Sequence, residues 1–334
     1  PIALEVAAAE ARAELRLPAR PRASRGATPG FVALALGKLG GSELNFSSDV
    51  DLVYVHRTDS GRVSRRAPAV GRHAWAEAVA RRITSVLGEA THEGHVYRVD
   101  LRLRPEGRAG AISHSLAAAH EYYRGRGATW ERLALLKARP VAGDGRLGDE
   151  LRRRVSPFVW TRPFDADAVR EVLRMKRESD RRLAARGLAD RHVKLGHGGI
   201  REIELVTQVL QIRHGEARSL RAAPARSTLA ALDTLRSLGA LPAPEHDALA
   251  RAYLFLRDVE NKLQMAHDTQ THLLPADDHD LLLLARRTGY GGDRGHGGAH
   301  AVARFRSDFR GHTDAVHRLF GEILGRLVSA GTTR

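Results

Sequence analysis

The 334-residue sequence contains no cysteine, and aromatic residues make up only 5% of it. The absence of cysteine excludes disulfide bonds and thiol chemistry, and it is compatible with a reducing cytosol. No apolar run approaches the roughly 20 residues that cross a membrane, and no signal-peptide pattern is present. We therefore expect a cytoplasmic protein that does not associate with membranes. Because the chain begins at Pro1 rather than at Met, we also expect it to be part of a longer protein.

Lysine is scarce, since only five of the 54 basic residues are lysine, although the formal net charge is +15. The basic residues are spread over every predicted helix without interleaved aromatic residues, so nucleic-acid binding is not the expected function. The charge follows mainly from a composition rich in arginine, alanine and glycine. Three lysines, Lys38, Lys137 and Lys194, lie in motifs described below, where a compact ammonium group is not interchangeable with a guanidinium group.

The stretch GKLGGSELNFSSDVDLVYV (37–55) carries the first candidate site. The apolar segments 31–36 and 50–55 predict two buried strands around it. Alternate side chains share a face of a strand, so Asp49 and Asp51 are predicted to point the same way. Two adjacent carboxylates repel each other, and a hard cation such as Mg²⁺ removes that repulsion. An Asp pair of this kind also occurs on solvated strand edges, and spacing alone leaves both interpretations open.

A third carboxylate occurs in YRVDLRLRPEGRAG (97–110). Apolar and polar residues alternate here, which predicts a strand over 95–104 with Asp100, Arg102 and Arg104 on its polar face. If this strand pairs beside the strand of Asp51, three carboxylates converge. The arginines would then lie near bound phosphate groups, whose oxygens accept the planar guanidinium fork.

Two glycine-rich segments are candidate phosphate sites. Gly40, Gly41 and Ser42 predict a turn whose backbone N–H groups face the carboxylates. In VKLGHGGIREIEL (193–205), paired glycines lead into a predicted helix whose first turn carries Arg201. Helix N-termini bind anions. The alternative for the second segment is a tight turn followed by ordinary core residues, namely Ile200, Ile203 and Val206.

Strands interleaved with helices occupy the first part of the chain, and helical patterns alone follow. The predicted fold class is α+β, with a catalytic domain followed by an all-α helical-bundle domain. The predicted boundaries are 1–30 for the end of a helix and a linker, 31–150 for the catalytic domain and 151–334 for the helical domain. The helices of the second domain are predicted at 166–186, 200–214, 226–239, 245–268, 278–288 and 298–328.

Five ordered blocks resemble the polymerase-β-type nucleotidyltransferases and, more closely, the bifunctional glutamine synthetase adenylyltransferase/adenylyl-removing enzymes. The blocks are 37–55, 97–110, 129–144, 193–205 and 253–275. The resemblance implies a small mixed sheet with helices in the catalytic domain. It implies that Asp49, Asp51 and Asp100 are catalytic and hold Mg²⁺, with ATP or ADP and inorganic phosphate as substrates or products. The residues expected to bind the nucleotide and phosphate are Lys38, Gly40, Gly41, Ser42, Arg102, Arg104 and Arg201.

Proteins of this family carry two nucleotidyltransferase halves, one that adenylylates a tyrosine of glutamine synthetase and one that removes the AMP by phosphorolysis. The wording of ELNFSSDVDL, RLRPEGRAG and ATWERLALLKARP resembles the N-terminal, adenylyl-removing half. The expected partners are adenylylated glutamine synthetase, the PII signal protein and the second half of the same protein. The transferring activity and a non-catalytic module that binds glutamine synthetase or PII are the alternatives.

The dipeptide His-Asp occurs three times, as His246-Asp247, His267-Asp268 and His279-Asp280. Metal-dependent phosphohydrolases use such a dipeptide with further ligands from neighbouring helices. Asp268 lies in a block shared with the adenylyltransferases, which explains it more simply.

Overall fold

The computed structural model describes residues 1–17, 28–64, 67–92, 94, 96–217, 220–221, 224–267, 270–291 and 297–330. It divides into two compact units. The first comprises Pro1–Leu44 and Ser48–Arg162, and the second comprises Asn45–Ser47 and Pro163–Arg334. The named strands lie in the first unit, and the second unit is built from helices. Within the described residues, none of the helices combines the length and the apolarity needed to cross a membrane.

The first unit contains a small mixed sheet in the order β5-β2-β1-β7, and β6 also pairs with β2. Strand β1 is antiparallel to β2 and to β7, whereas β5 and β6 run parallel to β2. Strands β3 and β4 form a separate antiparallel pair. The bounds are β1 Phe31–Ala35, β2 Val50–His56, β3 Arg62–Ser64, β4 Ala67–Gly71, β5 Val99–Asp100, β6 Ser113–Ser115 and β7 Arg139–Gly143. The two strands predicted on either side of the glycines are confirmed as β1 and β2.

The third predicted strand is much shorter than expected. A strand was predicted over 95–104, but β5 contains two residues and a turn follows it. The N–H group of Arg104 donates to the carbonyl oxygen of Leu101 (3.2 Å), and that of Gly107 donates to Arg104 (2.8 Å). The alternation of apolar and charged residues continues past Asp100, but the backbone there forms a turn with local hydrogen bonds instead of pairing with β2.

Helices on the sheet complete the core of the first unit. They are α1 Ile2–Glu14, α2 Gly37–Gly40, α3 Arg72–Gly88, α4 Leu116–Gly125, α5 Thr129–Leu135 and α6 Gly145–Ser156. The ring of Phe31 stacks on Tyr54 (5.9 Å between centroids) and meets the edge of Trp75 at 6.2 Å. Leu4 and Ala7 of α1 belong to the same buried cluster, so this helix is part of the first unit. Of the segment 1–30, predicted as the end of a helix and a linker, residues 18–27 lie outside the described residues.

The first unit continues past residue 150 to Arg162. Helix α6 packs on the sheet, where Gly148 lies against Pro140 of β7 and Val32 of β1. A π-helical turn follows α6, and its Val159 carbonyl oxygen accepts a hydrogen bond of 3.0 Å from the buried Arg132 guanidinium. The chain therefore leaves this unit only after that turn.

The second unit has the helices that the periodicity predicts. They are α7 Ala166–Ala184, α8 Ile200–Arg213, α9 Thr228–Ser237, α10 Ala243–His267, α11 Asp278–Arg287 and α12 Gly298–Ala330. Helix α8 is buried around most of its circumference, and the predicted core positions Ile200, Ile203 and Val206 are confirmed. The fully buried Glu202 pairs with Lys176 Nζ of α7 (2.8 Å) and His317 Nδ1 of α12 (3.2 Å), which fixes α8 between these helices.

Gly198 allows the segment before α8 to pack closely against α12. Gly198 has φ +59°, and a methyl group there would lie 1.7 Å from the carbonyl oxygen of Thr313 on α12. Both the backbone conformation and the space at this position require glycine.

Gly198→Ala should therefore destabilise the helical unit by about 2 kcal/mol or more, because it combines a left-handed backbone with overpacking. Gly311→Ala is the matched control, since it lies inside α12 with no atom near the added methyl group and should stabilise by about 0.5–1 kcal/mol. Denaturant unfolding followed by circular dichroism measures both. Equal stability of the two variants would contradict this packing.

Candidate active site

The parallel pairing of β5 with β2 brings two of the predicted carboxylates together. Val50 pairs with Val99, and Asp51 pairs with Asp100. Residues in register on neighbouring strands present their side chains on the same face of the sheet. Asp49 lies one residue before β2 begins. All three aspartates are therefore carried by one edge of the sheet, where β2 starts and β5 runs beside it.

Arginines neutralise two of these carboxylates. Arg98 Nε donates to Asp49 Oδ1 at 2.8 Å, and Arg102 Nε donates to Asp100 Oδ2 at 2.7 Å. The hydrogen bond to Asp100 raises the pKa of Arg102, and the charges of Asp51 and Asp49 raise this pKa further. The Arg102 guanidinium is thus held in the combined field of all three aspartates.

Asp100 is ionised in this environment. Burial alone would raise the pKa of its carboxyl group, but the hydrogen bonds from the Arg102 side chain and backbone N–H outweigh burial, and the pKa is lowered. A carboxylate with a lowered pKa is a weak proton acceptor at neutral pH. Asp100 is better suited to binding cations than to acting as a general base.

The glycine-rich turn does not offer the N–H groups that the sequence predicts. Helix α2 spans this turn, and the amides of Gly40, Gly41 and Ser42 donate to the carbonyl oxygens of Leu36 (2.8 Å), Gly37 (3.0 Å) and Leu39 (3.2 Å). In this conformation local hydrogen bonds use all three amides, and their role in phosphate binding stays a prediction. Ser42 is exposed and has φ 59°.

Gly40 instead serves close packing. A methyl group at Gly40 would lie 2.2 Å from the carbonyl oxygen of Lys137. The guanidinium of Arg139 donates to the carbonyl oxygens of Gly40 (3.0 Å) and Leu39 (2.9 Å). Lys137 Nζ forms a buried ion pair with Glu43 Oε2 at 2.6 Å. The turn is consequently fixed to the segment that leads into β7.

Gly37 is the residue that the sequence reasoning missed. It has φ +52°, and a methyl group there would lie 2.0 Å from Asp51 Oδ2. The backbone of Gly37 therefore packs directly against the carboxylate that pairs in register with Asp100. The available signal was a glycine immediately after an apolar strand and shortly before the carboxylates.

Three other predicted phosphate ligands have different surroundings. The Arg104 guanidinium donates to the carbonyl oxygens of Leu101 (2.9 Å) and Ala111 (3.1 Å), so it holds the loop after β5, and burial lowers its pKa. The chain turns after Asp100, and phosphate binding by Arg104 stays a prediction. Lys38 is buried within α2. Arg201 belongs to the second unit, where Nη1 lies 3.5 Å from Glu204 Oε2.

The three aspartates match a hard cation by donor chemistry, since Mg²⁺ prefers carboxylate oxygens. In the described part of the chain, however, the group of three side chains with mutually close ligand atoms is His56, Asp59 and His73. A cation at the aspartates would have to displace Arg98 from Asp49 and Arg102 from Asp100. Its binding is thus a competition with two guanidinium groups.

Comparison with known proteins decides the family. The family model for glutamate-ammonia ligase adenylyltransferase matches residues 2–154, which contain the three aspartates. Bifunctional glutamine synthetase adenylyltransferase/adenylyl-removing enzymes match about four-fifths of the chain. Those of Bradyrhizobium diazoefficiens, Stenotrophomonas maltophilia (strain R551-3) and Xanthomonas campestris are 42%, 44% and 43% identical over 78%, 78% and 80% of this chain. The chain belongs to the glutamine synthetase adenylyltransferase family.

The family membership confirms the resemblance that the five motif blocks indicate. The chain spans only about a quarter of these relatives, 26%, 27% and 28% of their lengths. Residues 170–324 match a second family model, that of the GlnD PII-uridylyltransferase. The helical unit of this adenylyltransferase-family chain is thus similar to part of another nucleotidyltransferase family.

The family accounts for the sequence without a phosphohydrolase site at the His-Asp dipeptides. In the first dipeptide, the ring nitrogens of His246 lie 2.8 Å from carboxylate oxygens of Asp233 and Asp247.

Gly37→Ala should disturb the candidate site more than the fold. The strained backbone should cost about 1–2 kcal/mol of stability, whereas the Asp51 carboxylate must move away from the new methyl group. A displacement of about 1 Å at a reacting centre can lower activity by about 100-fold. Gly125→Ala, which meets no atom nearby, is the control. Nucleotidyl-transfer rates and unfolding curves measure the two effects, and an active Gly37→Ala enzyme would contradict the role of Asp51.

Proposed function

We propose that this chain is an adenylyl-removing domain. It would cleave AMP from the modified tyrosine of glutamine synthetase by phosphorolysis, giving ADP and unmodified enzyme, in the cytoplasmic regulation of nitrogen assimilation. In this proposal the first unit is the polymerase-β-type nucleotidyltransferase domain and the second is the helical domain that follows it. The observation that carries the proposal is the register pair Asp51–Asp100, with Asp49 beside it, in a chain of the glutamine synthetase adenylyltransferase family.

The aspartates would provide the metal site of this reaction. Asp49, Asp51 and Asp100 would hold Mg²⁺, which would neutralise charge on the phosphate groups during displacement at the AMP phosphorus. When the carboxylates bind a cation, their ion pairs with Arg98 and Arg102 break, and both guanidinium groups remain within a few ångströms of the metal site. Guanidinium groups donate paired hydrogen bonds to phosphate oxygens. We therefore propose that Arg98 joins Arg102 as a phosphate-binding residue.

The wording of the motifs supports the direction of the reaction, because it resembles that of the removing half. Inorganic phosphate is already ionised at neutral pH, so its attack on the AMP phosphorus requires no protein base. Transfer to tyrosine would also require removal of the hydroxyl proton.

The proposed partners follow from the family. Adenylylated glutamine synthetase would be the substrate, and the second nucleotidyltransferase half would lie in the remaining length of a longer protein. We assign contact with the PII signal protein to the helical unit, because residues 170–324 match the model named for PII-uridylyltransferase.

The direct experiment incubates the purified chain with adenylylated glutamine synthetase, Mg²⁺ and inorganic phosphate. Phosphate-dependent release of ADP is expected. ATP-dependent labelling of glutamine synthetase without ADP release would instead identify the transferring half. Binding of glutamine synthetase with neither reaction would identify a non-catalytic module.

Asp49→Asn combined with Asp51→Asn should lower phosphate-dependent AMP removal by more than about 100-fold, since metal binding contributes several kcal/mol to such displacements. The fold should persist, because the side-chain volumes are conserved and the lost Asp49–Arg98 ion pair is solvent-accessible, which limits its value to about 1 kcal/mol. Asp149→Asn is the control, since it removes only an exposed pair with Arg152. An active double variant would contradict the proposed site.

A further inference from the structure

Three side chains of the first unit meet at the other end of β2. Asp59 Oδ1 lies 2.8 Å from His56 Nε2 and 3.0 Å from His73 Nδ1. The ligand atoms of the three residues all lie within 4.8 Å of one another. His56 is the last residue of β2, Asp59 is in the loop after it, and His73 is in the first turn of α3.

Neighbouring groups orient the two imidazoles. His56 is buried, and its Nδ1 lies 2.9 Å from Ser113 Oγ of β6. Without a metal ion, the ring nitrogens that face the ionised Asp59 donate their protons to its Oδ1. A bound metal would replace these protons, and His56 Nδ1–H would then donate to the Ser113 hydroxyl. The other ring nitrogen of His73, Nε2, lies 3.8 Å from Glu77 Oε1, which favours a proton there. Each histidine therefore has one nitrogen facing the shared carboxylate, and Ser113 holds the other nitrogen of His56.

The charge states suit metal binding as well. Burial lowers the pKa of His56 more than its contact with Asp59 raises it, so the ring is neutral at pH 7. Burial would raise the pKa of Asp59, but hydrogen bonds from Ser115 and His56 outweigh it and the pKa is lowered. Neutral imidazole and ionised carboxylate are the forms that bind metal ions.

We propose that His56, Asp59 and His73 bind a divalent transition-metal ion, Zn²⁺ above all, with water as the fourth ligand. Zinc takes imidazole nitrogen and carboxylate oxygen at about 2.0–2.2 Å, so donor atoms in a tetrahedral site lie about 3.3–3.6 Å apart. The observed separations of 2.8 and 3.0 Å are shorter than this, so the carboxylate would shift outward when the ion binds. The exposed fractions of Asp59 and His73, 55% and 46%, leave the ion an entry path.

This site is separate from the aspartates proposed to hold Mg²⁺. His56 lies five residues after Asp51 along β2, about 17 Å at the rise of an extended strand. Its two nitrogen ligands select a borderline ion such as Zn²⁺ over Mg²⁺, which prefers oxygen ligands only. A metal ion here would also join the end of β2 to the start of α3, and so close the base of the β3–β4 hairpin that lies between Asp59 and His73.

The test titrates the purified chain with Co²⁺ in excess Mg²⁺, which occupies the carboxylate site. One equivalent should give the strong visible absorption of four-coordinate cobalt, and Zn²⁺ should displace it. His73→Gln and Asp59→Asn should each weaken this binding by at least about tenfold, since the loss of one of three ligands removes more than about 1.4 kcal/mol. His120→Gln, on α4, changes a histidine that is not one of the three ligands and should bind like the unmodified protein.

Hydrogen exchange provides the second measurement. Zn²⁺ should slow amide exchange in residues 56–73 of the unmodified chain and of His120→Gln, but not of His73→Gln. His73 is half-exposed, so the variant should fold, and circular dichroism without metal checks this. Cobalt absorption that His73→Gln and Asp59→Asn leave unchanged, or the absence of a one-equivalent site, would overturn the proposal and leave a hydrogen-bonded His-Asp-His network.

Discussion

The short parallel pairing of β5 with β2 is the constraint on which the candidate active site depends. It contains only two residues of β5, yet it sets Asp100 in register with Asp51. Arg98 and Arg102, which flank Asp100 in sequence, form ion pairs with Asp49 and Asp100. Side-by-side carboxylates are unfavourable without a compensating positive charge. In this structure the two arginines supply that charge, and in the proposed complex a metal ion bound with a nucleotide would replace them. The same pairing therefore positions the carboxylates, and the guanidinium groups lie next to them.

The rest of the first unit supports this edge of the sheet. Gly37 packs on the Asp51 carboxylate, and Arg139 with the Lys137–Glu43 ion pair fixes the turn that contains it. Gly37 and Gly40 thus allow close packing that a side chain would prevent. Arg104 similarly stabilises the loop after β5, since its guanidinium donates hydrogen bonds to the carbonyl oxygens of Leu101 and Ala111.

Much of this architecture was predictable because it depends on local patterns. Apolar runs identified β1 and β2, and the helical period identified the helices of the second unit, including the buried face of α8. The length of β5 was not predictable, since the alternation of Leu101 and Leu103 with arginines continues after the ladder ends. The surroundings of Arg104 could not be inferred for the same reason.

Contacts between residues distant in sequence also escaped prediction. The sequence predicts a helix over 166–186 but not that its Lys176 is buried against Glu202 of another helix. The cluster of His56, Asp59 and His73 has no spacing motif, because the β3–β4 hairpin separates its last two members. The tertiary structure brings such side chains together, so the sequence alone does not reveal that they are neighbours.

The measurement that tests the account most directly is the binding of Mn²⁺ that Mg²⁺ can displace, followed by electron paramagnetic resonance, in the unmodified chain and in Asp100→Asn. If Asp51 and Asp100 share a cation, Asp100→Asn should weaken this binding by about tenfold or more, equivalent to about 1.4 kcal/mol. Equal affinities of the two proteins for displaceable Mn²⁺ would contradict the central claim that the β5–β2 pairing builds the metal site.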